Sequence, residues 1–245
     1  MQNYKLTIQY DGTRYNGWQR QGNTDNTIQG KLNEIIGRYL GEVIDVAGSG
    51  RTDAGVHAYG QVANFKTVKY LDKDSFLLDI NSYLPQDIRL LKVESVDDRF
   101  HARLSAVSKT YEYVIDNGFV SDVFARKYSY RLEEKLDVEK MRMAAEFLIG
   151  THDYLSFCGN KKFKKSSVRT VTDILITESA GKVHIVFRGN GFLQNMVRIM
   201  AGTLIEVGLG KRELESMTDS INARSREAAG MMAPPEGLFL KEVEY

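Results

Sequence analysis

The 245-residue sequence contains a single cysteine, Cys158, and three prolines. One thiol excludes an intramolecular disulfide framework, and it also excludes zinc or iron–sulfur sites built from several cysteines. Cysteine usage of this kind is typical of proteins from a reducing compartment, so we predict a cytoplasmic protein.

A secretory or membrane-spanning start is missing as well. Residues 1–10 (MQNYKLTIQY) alternate polar and apolar side chains, and they lack the basic start and the long apolar run of a signal sequence. Neither a signal peptide nor a membrane span is therefore indicated.

The sequence also lacks an excess of charge of one sign, since its formal net charge is +1. A neutral balance argues against a surface covered in phosphate-binding charge. The distribution is uneven, because Lys161, Lys162, Lys164 and Lys165 surround Phe163 in what we call the lysine loop (residues 161–165). This loop fits an RNA contact and a simple solvated loop equally well.

Metal-binding patterns are absent too. The four histidines, His57, His101, His152 and His184, lie far apart and show no metal-ligand spacing. We therefore predict no metal site and expect the histidines to be polar loop residues or packing residues.

Hydrophobic residues make up 42% of the chain and charged residues 27%, which is typical of a folded globular protein. Apolar periodicity predicts helices over 28–40, from about Asp137 to Leu148, and over 196–207. Asn26 and Gln29 have the spacing of a capping box at the start of the first helix. Strands are predicted at 4–10, 43–47, 61–65, 88–93, 110–115, 171–176 and 183–187.

Both halves of the chain thus run strand, helix, strands, and then a second helix or loop. This order predicts two similar α/β (α+β) domains of the RRM or ferredoxin-like type, with mainly antiparallel sheets flanking a central cleft. We place the N-terminal domain at residues 1–104 and the C-terminal domain at residues 105–245.

The most informative stretch is residues 48–60 (GSGRTDAGVHAYG), where four glycines surround Arg51, Asp53 and His57. Glycines let a backbone turn sharply and approach a ligand closely. The stretch lacks the Gly-Lys-Ser/Thr ending of a phosphate loop and leads into a strand instead of a helix. By itself the stretch is consistent with a carboxylate site, and equally with an ordinary surface ion pair of Arg51 with Asp53.

Residues 50–57 (GRTDAGVH) resemble the signature of the tRNA pseudouridine synthase A family. Further motifs of that family follow in the right order along essentially the whole chain. They are residues 10–13 (YDGT), 17–21 (GWQRQ), 100–103 (FHAR), 109–113 (KTYEY), 191–192 (GF) with 196–198 (MVR), and 236–238 (EGL).

The resemblance implies roles for four residues. Asp53 corresponds to the family's nucleophile, which forms a covalent intermediate with the target nucleotide. Arg51 corresponds to the arginine that enters the RNA and helps to expose that nucleotide. Tyr111 corresponds to the tyrosine that packs against the target uracil, and Arg198 to the basic partner of the aspartate.

Two of these residues can also be judged from local spacing. Tyr111 and Tyr113 share one face of a strand and Glu112 the other, so either tyrosine could meet a base or lie in a core. Arg198 lies off the stripe of Met196, Ile199, Met200 and Leu204, so we expect it to face away from the local core.

The resemblance further implies a target in the anticodon stem-loop of tRNA, at positions 38 to 40, and a homodimer that needs no cofactor. Two alternatives stay open at this point. A non-catalytic RNA-binding module could use aromatic side chains on a sheet together with basic loops. A small-molecule carboxylate enzyme could hold a phosphate in the glycine-rich loop, and it would be active without RNA.

Overall fold

A computed structural model describes residues 1–160 and 162–245 of the chain, which there form five α-helices and ten β-strands. The helices are α1 (Ile28–Leu40), α2 (Lys73–Tyr83), α3 (Val138–Glu146), α4 (Met196–Gly208) and α5 (Ser216–Asn222). The strands are β1 (Gln2–Tyr10), β2 (Ala47–Gly48), β3 (His57–Thr67), β4 (Ile88–Val96), β5 (Ser108–Asp116), β6 (Tyr130–Arg131), β7 (Gly150–Asp153), β8 (Val168–Ser179), β9 (Lys182–Gly189) and β10 (Leu238–Glu244).

The chain folds into two compact units, residues 1–107 with 239–245 (unit 1) and residues 108–238 (unit 2). The sequence had assigned residues 239–245 to the second domain, whereas they lie in unit 1. The reason is that β10 pairs in parallel with β3. The sequence had predicted no strand in this terminal segment, and side-chain periodicity does not show which sheet a terminal strand joins.

Unit 1 contains a sheet in the order β4-β1-β3-β10, with β2 on β3. β1 pairs antiparallel with both β3 and β4, and alternate side chains of β1 are buried, as predicted. Tyr4 and Phe65 stack in the sheet, and Phe65 stacks on Phe76 of α2, with ring centroids 5.8 Å and 5.9 Å apart. The core of this unit therefore lies between the sheet and its helices.

The first helix was predicted correctly, but its cap was not. Thr27 is the N-cap residue, and its hydroxyl accepts a hydrogen bond from the Gly30 backbone N–H at 3.1 Å. The side chain of Asn26 instead donates to the carbonyl of Arg14, and Gln29 bonds outside the helix. The predicted capping box is therefore wrong, because the hydroxyl of Thr27, one position later, makes the capping bond.

Residues 43–47 were predicted as a strand, yet only Ala47 enters one. Ile44 and Val46 are buried, which explains the alternating pattern. The backbone of Val46 bonds to side chains and not to a strand, since its N–H donates to Asn33 and its carbonyl accepts from Gln29.

The strands of unit 2 pair antiparallel in the order β5-β9-β8-β7, and β6 pairs in parallel with β5. The predicted helices at 137–148 and 196–207 correspond to α3 and α4, and Asp137 caps α3 through the Lys140 N–H at 3.0 Å. The chain is thus a mixed α/β protein with mainly antiparallel sheets, as the sequence predicted. None of the described helices has the length and apolar character that crossing a membrane requires.

Candidate active site

The loop between β2 and β3 carries Arg51 and Asp53, and its first half is bonded to β3. The Ser49 N–H donates to the carbonyl of Val62 at 2.7 Å. The side chain of Gln61, which is fully buried, donates from Nε2 to the carbonyl of Gly50 at 3.1 Å. The backbone directly before Arg51 is therefore fixed to the sheet.

Thr52 is the second anchor of the loop. Its carbonyl accepts from the Trp18 N–H at 3.0 Å, and its hydroxyl lies 2.8 Å from the buried hydroxyl of Tyr10. Burial raises the pKa of Tyr10 to about 12, so this hydroxyl stays protonated at neutral pH. The residue next to Asp53 is thus held through its backbone and its side chain.

Two glycines allow the chain to pass close to this loop. A Cβ on Gly17, whose φ is +88°, would lie 2.6 Å from the carbonyl oxygen of Thr52. A Cβ on Gly12 would lie 1.9 Å from the carbonyl oxygen of Val56. The Gly12 N–H also donates to His57 Nδ1 at 3.1 Å. The predicted motifs at 10–13, 17–21 and 50–57 therefore meet in one packed arrangement.

The two candidate residues differ in how far they are exposed. Asp53 is half-buried and Arg51 is exposed. Among the described residues, the hydrogen bond of Arg51 goes to Gln19 and not to Asp53, with its Nε 3.2 Å from Gln19 Oε1. The two residues therefore do not form the ordinary surface pair that the sequence left open, and no local pattern had pointed to Gln19.

Tyr111 and Tyr113 project to the same face of β5 and are both buried, while Glu112 is half-buried. The Tyr113 hydroxyl donates to the carbonyl of Pro234 at 2.9 Å, and burial raises its pKa. The Tyr111 ring meets the half-buried Phe192 edge to face, with centroids 5.2 Å apart and planes at 83°. Tyr113 is thus anchored in the core, whereas Tyr111 lies against a partly exposed aromatic ring.

Arg198 is buried, with 8% of its surface exposed, although its place off the apolar stripe had led us to expect it to face away from the local core. The reason is that α4 is buried on every side from Met196 to Ile205. The Nε of Arg198 donates to the carbonyl of Ala233 at 2.8 Å, and this bond orients the guanidinium group. Of the four candidate residues, unit 1 holds Arg51 and Asp53, and unit 2 holds Tyr111 and Arg198.

Two of the histidines contact neighbouring side chains from within strands. His57 is buried and stacks on Phe239 at 4.8 Å, and His184 Nδ1 lies 3.0 Å from a carboxylate oxygen of Glu112. Within the described ranges 1–160 and 162–245, no group of three or more histidine, cysteine or acidic side chains is arranged to hold a metal ion.

Lys161 of the lysine loop lies outside the described residues, and the other four residues of the loop belong to unit 2. Lys162, Lys164 and Lys165 are exposed, and Phe163 is half-buried. Just before the loop, the Gly159 N–H donates to the carbonyl of Gln194, two residues before α4, at 2.9 Å. The loop is thus anchored close in sequence to the helix that carries Arg198.

Comparison with known proteins relates the chain to one family. A family model described as tRNA pseudouridine synthase matches residues 6–104 and 144–245. The chain is 48% identical over 245 residues to tRNA pseudouridine synthase A 2 of a Bacillus cereus strain, covering 100% of both chains. It is 44% identical, again over the full length of both chains, to tRNA pseudouridine synthase A of Acetivibrio thermocellus.

Proposed function

The chain belongs to the tRNA pseudouridine synthase family and is an isomerase that forms pseudouridine in tRNA, and we propose that it acts on uridines of the anticodon stem-loop with Asp53 as its nucleophile. Family membership sets aside the two alternatives that the sequence left open, a non-catalytic RNA-binding module and a small-molecule enzyme.

The proposed chemistry needs only groups that the chain and the substrate supply. The N1–C1′ bond of uridine breaks, a C5–C1′ bond forms, and the hydrogen at C5 is exchanged for one at N1, so the reaction is neither an oxidation nor a reduction. A carboxylate that bonds covalently to the nucleotide divides this change into two easier steps. Asp53 is the residue to which we assign that bond.

One observation carries the assignment to Asp53. Gly50 and Thr52, which flank Arg51 just before Asp53, are hydrogen-bonded to Gln61 and Trp18, while Asp53 is half-buried and not fully enclosed. Such a backbone holds a reactive group in place while leaving it accessible to a substrate, which is the requirement for a preorganised nucleophile.

The other three residues have proposed roles with the nucleotide. Arg51, exposed and oriented at Nε, helps to expose the target base, because a stacked uridine must leave the helix before it can react. Tyr111 packs against the uracil. Arg198, buried and oriented by Ala233, is the residue that we assign as the basic partner of Asp53.

The direct test incubates unmodified tRNA transcripts with the purified chain and with its Asp53→Ala variant, without any added cofactor. Pseudouridine is mapped by carbodiimide-dependent stops of reverse transcription. We expect stops confined to the anticodon arm, and we expect the Asp53→Ala variant to abolish them.

The matched control is Asp45→Ala, which removes an exposed aspartate from the segment that leads into the same loop. This variant should retain all the stops. Stops outside the anticodon arm would refute the proposed target, and stops that persist in Asp53→Ala would refute the proposed nucleophile.

Two further proposals concern the setting of this activity. We place the enzyme in the cytoplasm, consistent with its single cysteine, Cys158, which is buried as a free thiol.

We also propose a homodimer, supported by the almost fully exposed apolar side chains of Phe119 and Phe124. Sedimentation equilibrium should give twice the chain mass of 27.8 kDa, and a monomer mass at micromolar concentration would exclude the homodimer.

A further inference from the structure

A chain of side-chain amides connects Arg51 to the start of α1. Arg51 Nε donates to Gln19 Oε1 at 3.2 Å, and Gln19 Nε2 donates to Gln29 Oε1 at 2.7 Å. Gln29 is buried and lies in the first turn of α1. An exposed arginine is thus connected, through two glutamines, to a fixed element of the core of unit 1.

The backbone around Gln29 determines the direction of every bond in this chain. Gln29 Nε2 must face the Val46 carbonyl, 2.9 Å away, because a carbonyl can only accept. Gln29 Oε1 faces the Arg20 N–H, 2.8 Å away, because an amide N–H can only donate. Gln19 must therefore turn its NH₂ group to Gln29, which leaves its oxygen as the group that faces Arg51.

A neutral acceptor has a specific advantage at this position. A carboxylate beside Arg51 would orient the guanidinium group but would also offset its positive charge. The amide oxygen of Gln19 orients the Nε edge and leaves the charge in place for RNA. In the described chain, the two terminal nitrogens of Arg51 make no hydrogen bond, so they remain available to a nucleotide.

We propose that Gln19, held by Gln29, is a positioning residue that fixes the direction in which Arg51 meets the RNA. The proposal rests on the proposed function, in which Arg51 helps to expose the target nucleotide. A long arginine side chain has many rotamers, and one hydrogen bond that selects the productive orientation raises the rate of the extrusion step. Gln19 acts through Arg51 and does not itself touch the reacting atoms.

The test compares Gln19→Ala, Arg51→Ala and the double variant in single-turnover assays, with tRNA affinity measured separately. Gln19→Ala should lower the rate at saturating tRNA by about tenfold and change the tRNA dissociation constant by less than about twofold, since misorientation affects the reacting geometry more than binding. In the Arg51→Ala background, Gln19→Ala should have no further effect, because interacting residues are not additive.

Two further variants sharpen the result. Gln9→Ala removes an exposed glutamine of β1 and should keep the wild-type rate. Gln19→Glu keeps the size of the side chain but cannot donate to Gln29 Oε1, and it places a negative charge beside Arg51, so it should slow the reaction at least as much as Gln19→Ala. Thermal unfolding followed by circular dichroism checks that each variant is folded.

The outcomes separate this inference from the proposed function. If Arg51→Ala is slow and Gln19→Ala is as fast as the wild type, or if the two effects are additive, the positioning role of Gln19 is refuted and the function of Arg51 stands. If Arg51→Ala itself reacts at the wild-type rate, the role of Arg51 and the positioning role both fail, while the Asp53→Ala result still decides the nucleophile.

Discussion

Gly12 determines how closely the turn after β1 can approach the start of β3. The 1.9 Å gap between an added Cβ and the Val56 carbonyl oxygen involves backbone, which cannot move aside as a flexible side chain can. Gly12 also donates its N–H to His57. A side chain at this position would therefore push apart two of the segments that support Asp53.

We predict that Gly12→Ala lowers the free energy of unfolding by about 1–3 kcal/mol, the usual cost of overpacking, and lowers the rate of pseudouridine formation. Urea unfolding and the single-turnover assay measure the two effects. Gly22→Ala is the matched control, because a Cβ there has no atom within 4 Å. Equal stability of the two variants would show that the turn can move without cost.

The shared face of Tyr111 and Tyr113 was predicted correctly, because strand alternation is a local pattern. The roles of Asp53 and Arg51, drawn from residues 50–57, stay predictions. Gln19 was missed because its two partners, Gln29 and Arg51, lie 10 and 32 residues away in sequence. A hydrogen bond between distant side chains leaves no periodic pattern.

Secondary-structure elements were predicted where one face is buried and the other is not. β1 and α1 show this contrast clearly, whereas α2 buries only Phe76 and Ile80 among its 11 residues and was left as a helix or loop. α4 differs from both, because its apolar stripe predicts the helix correctly but does not show that the residues outside the stripe are buried too. A helix that is packed on all sides buries even its arginine, and Arg198 is tolerated there because it is hydrogen-bonded.

Several basic side chains of the described residues are paired with a carboxylate. Lys5, Lys66 and Lys182, for example, each lie within 3.2 Å of a carboxylate oxygen. In the described part of the chain, the side chains of Lys162, Lys164 and Lys165 have no such partner. The net charge of +1 thus includes a segment of concentrated positive charge, and we propose that the lysine loop contacts tRNA phosphates.

This proposal predicts a change in the salt dependence of binding. Each phosphate contact contributes about 0.7–0.9 to the slope of log affinity against log salt, because binding releases condensed counterions. Replacing the three described lysines of the loop by glutamine should therefore lower the slope by about 2–3 and weaken tRNA binding. The single-turnover rate at saturating tRNA should stay at the wild-type value, since the lysine loop acts in binding and not at Asp53.

The control replaces three lysines that are paired with acids, Lys31, Lys140 and Lys211, by glutamine and so changes net charge equally. Its salt slope should stay near that of the wild type, because a charge already paired with a carboxylate adds little to the local potential. An equal fall in both variants would assign the effect to net charge. An unchanged slope in the lysine-loop variant would remove the loop from the tRNA interface and leave it a solvated surface segment.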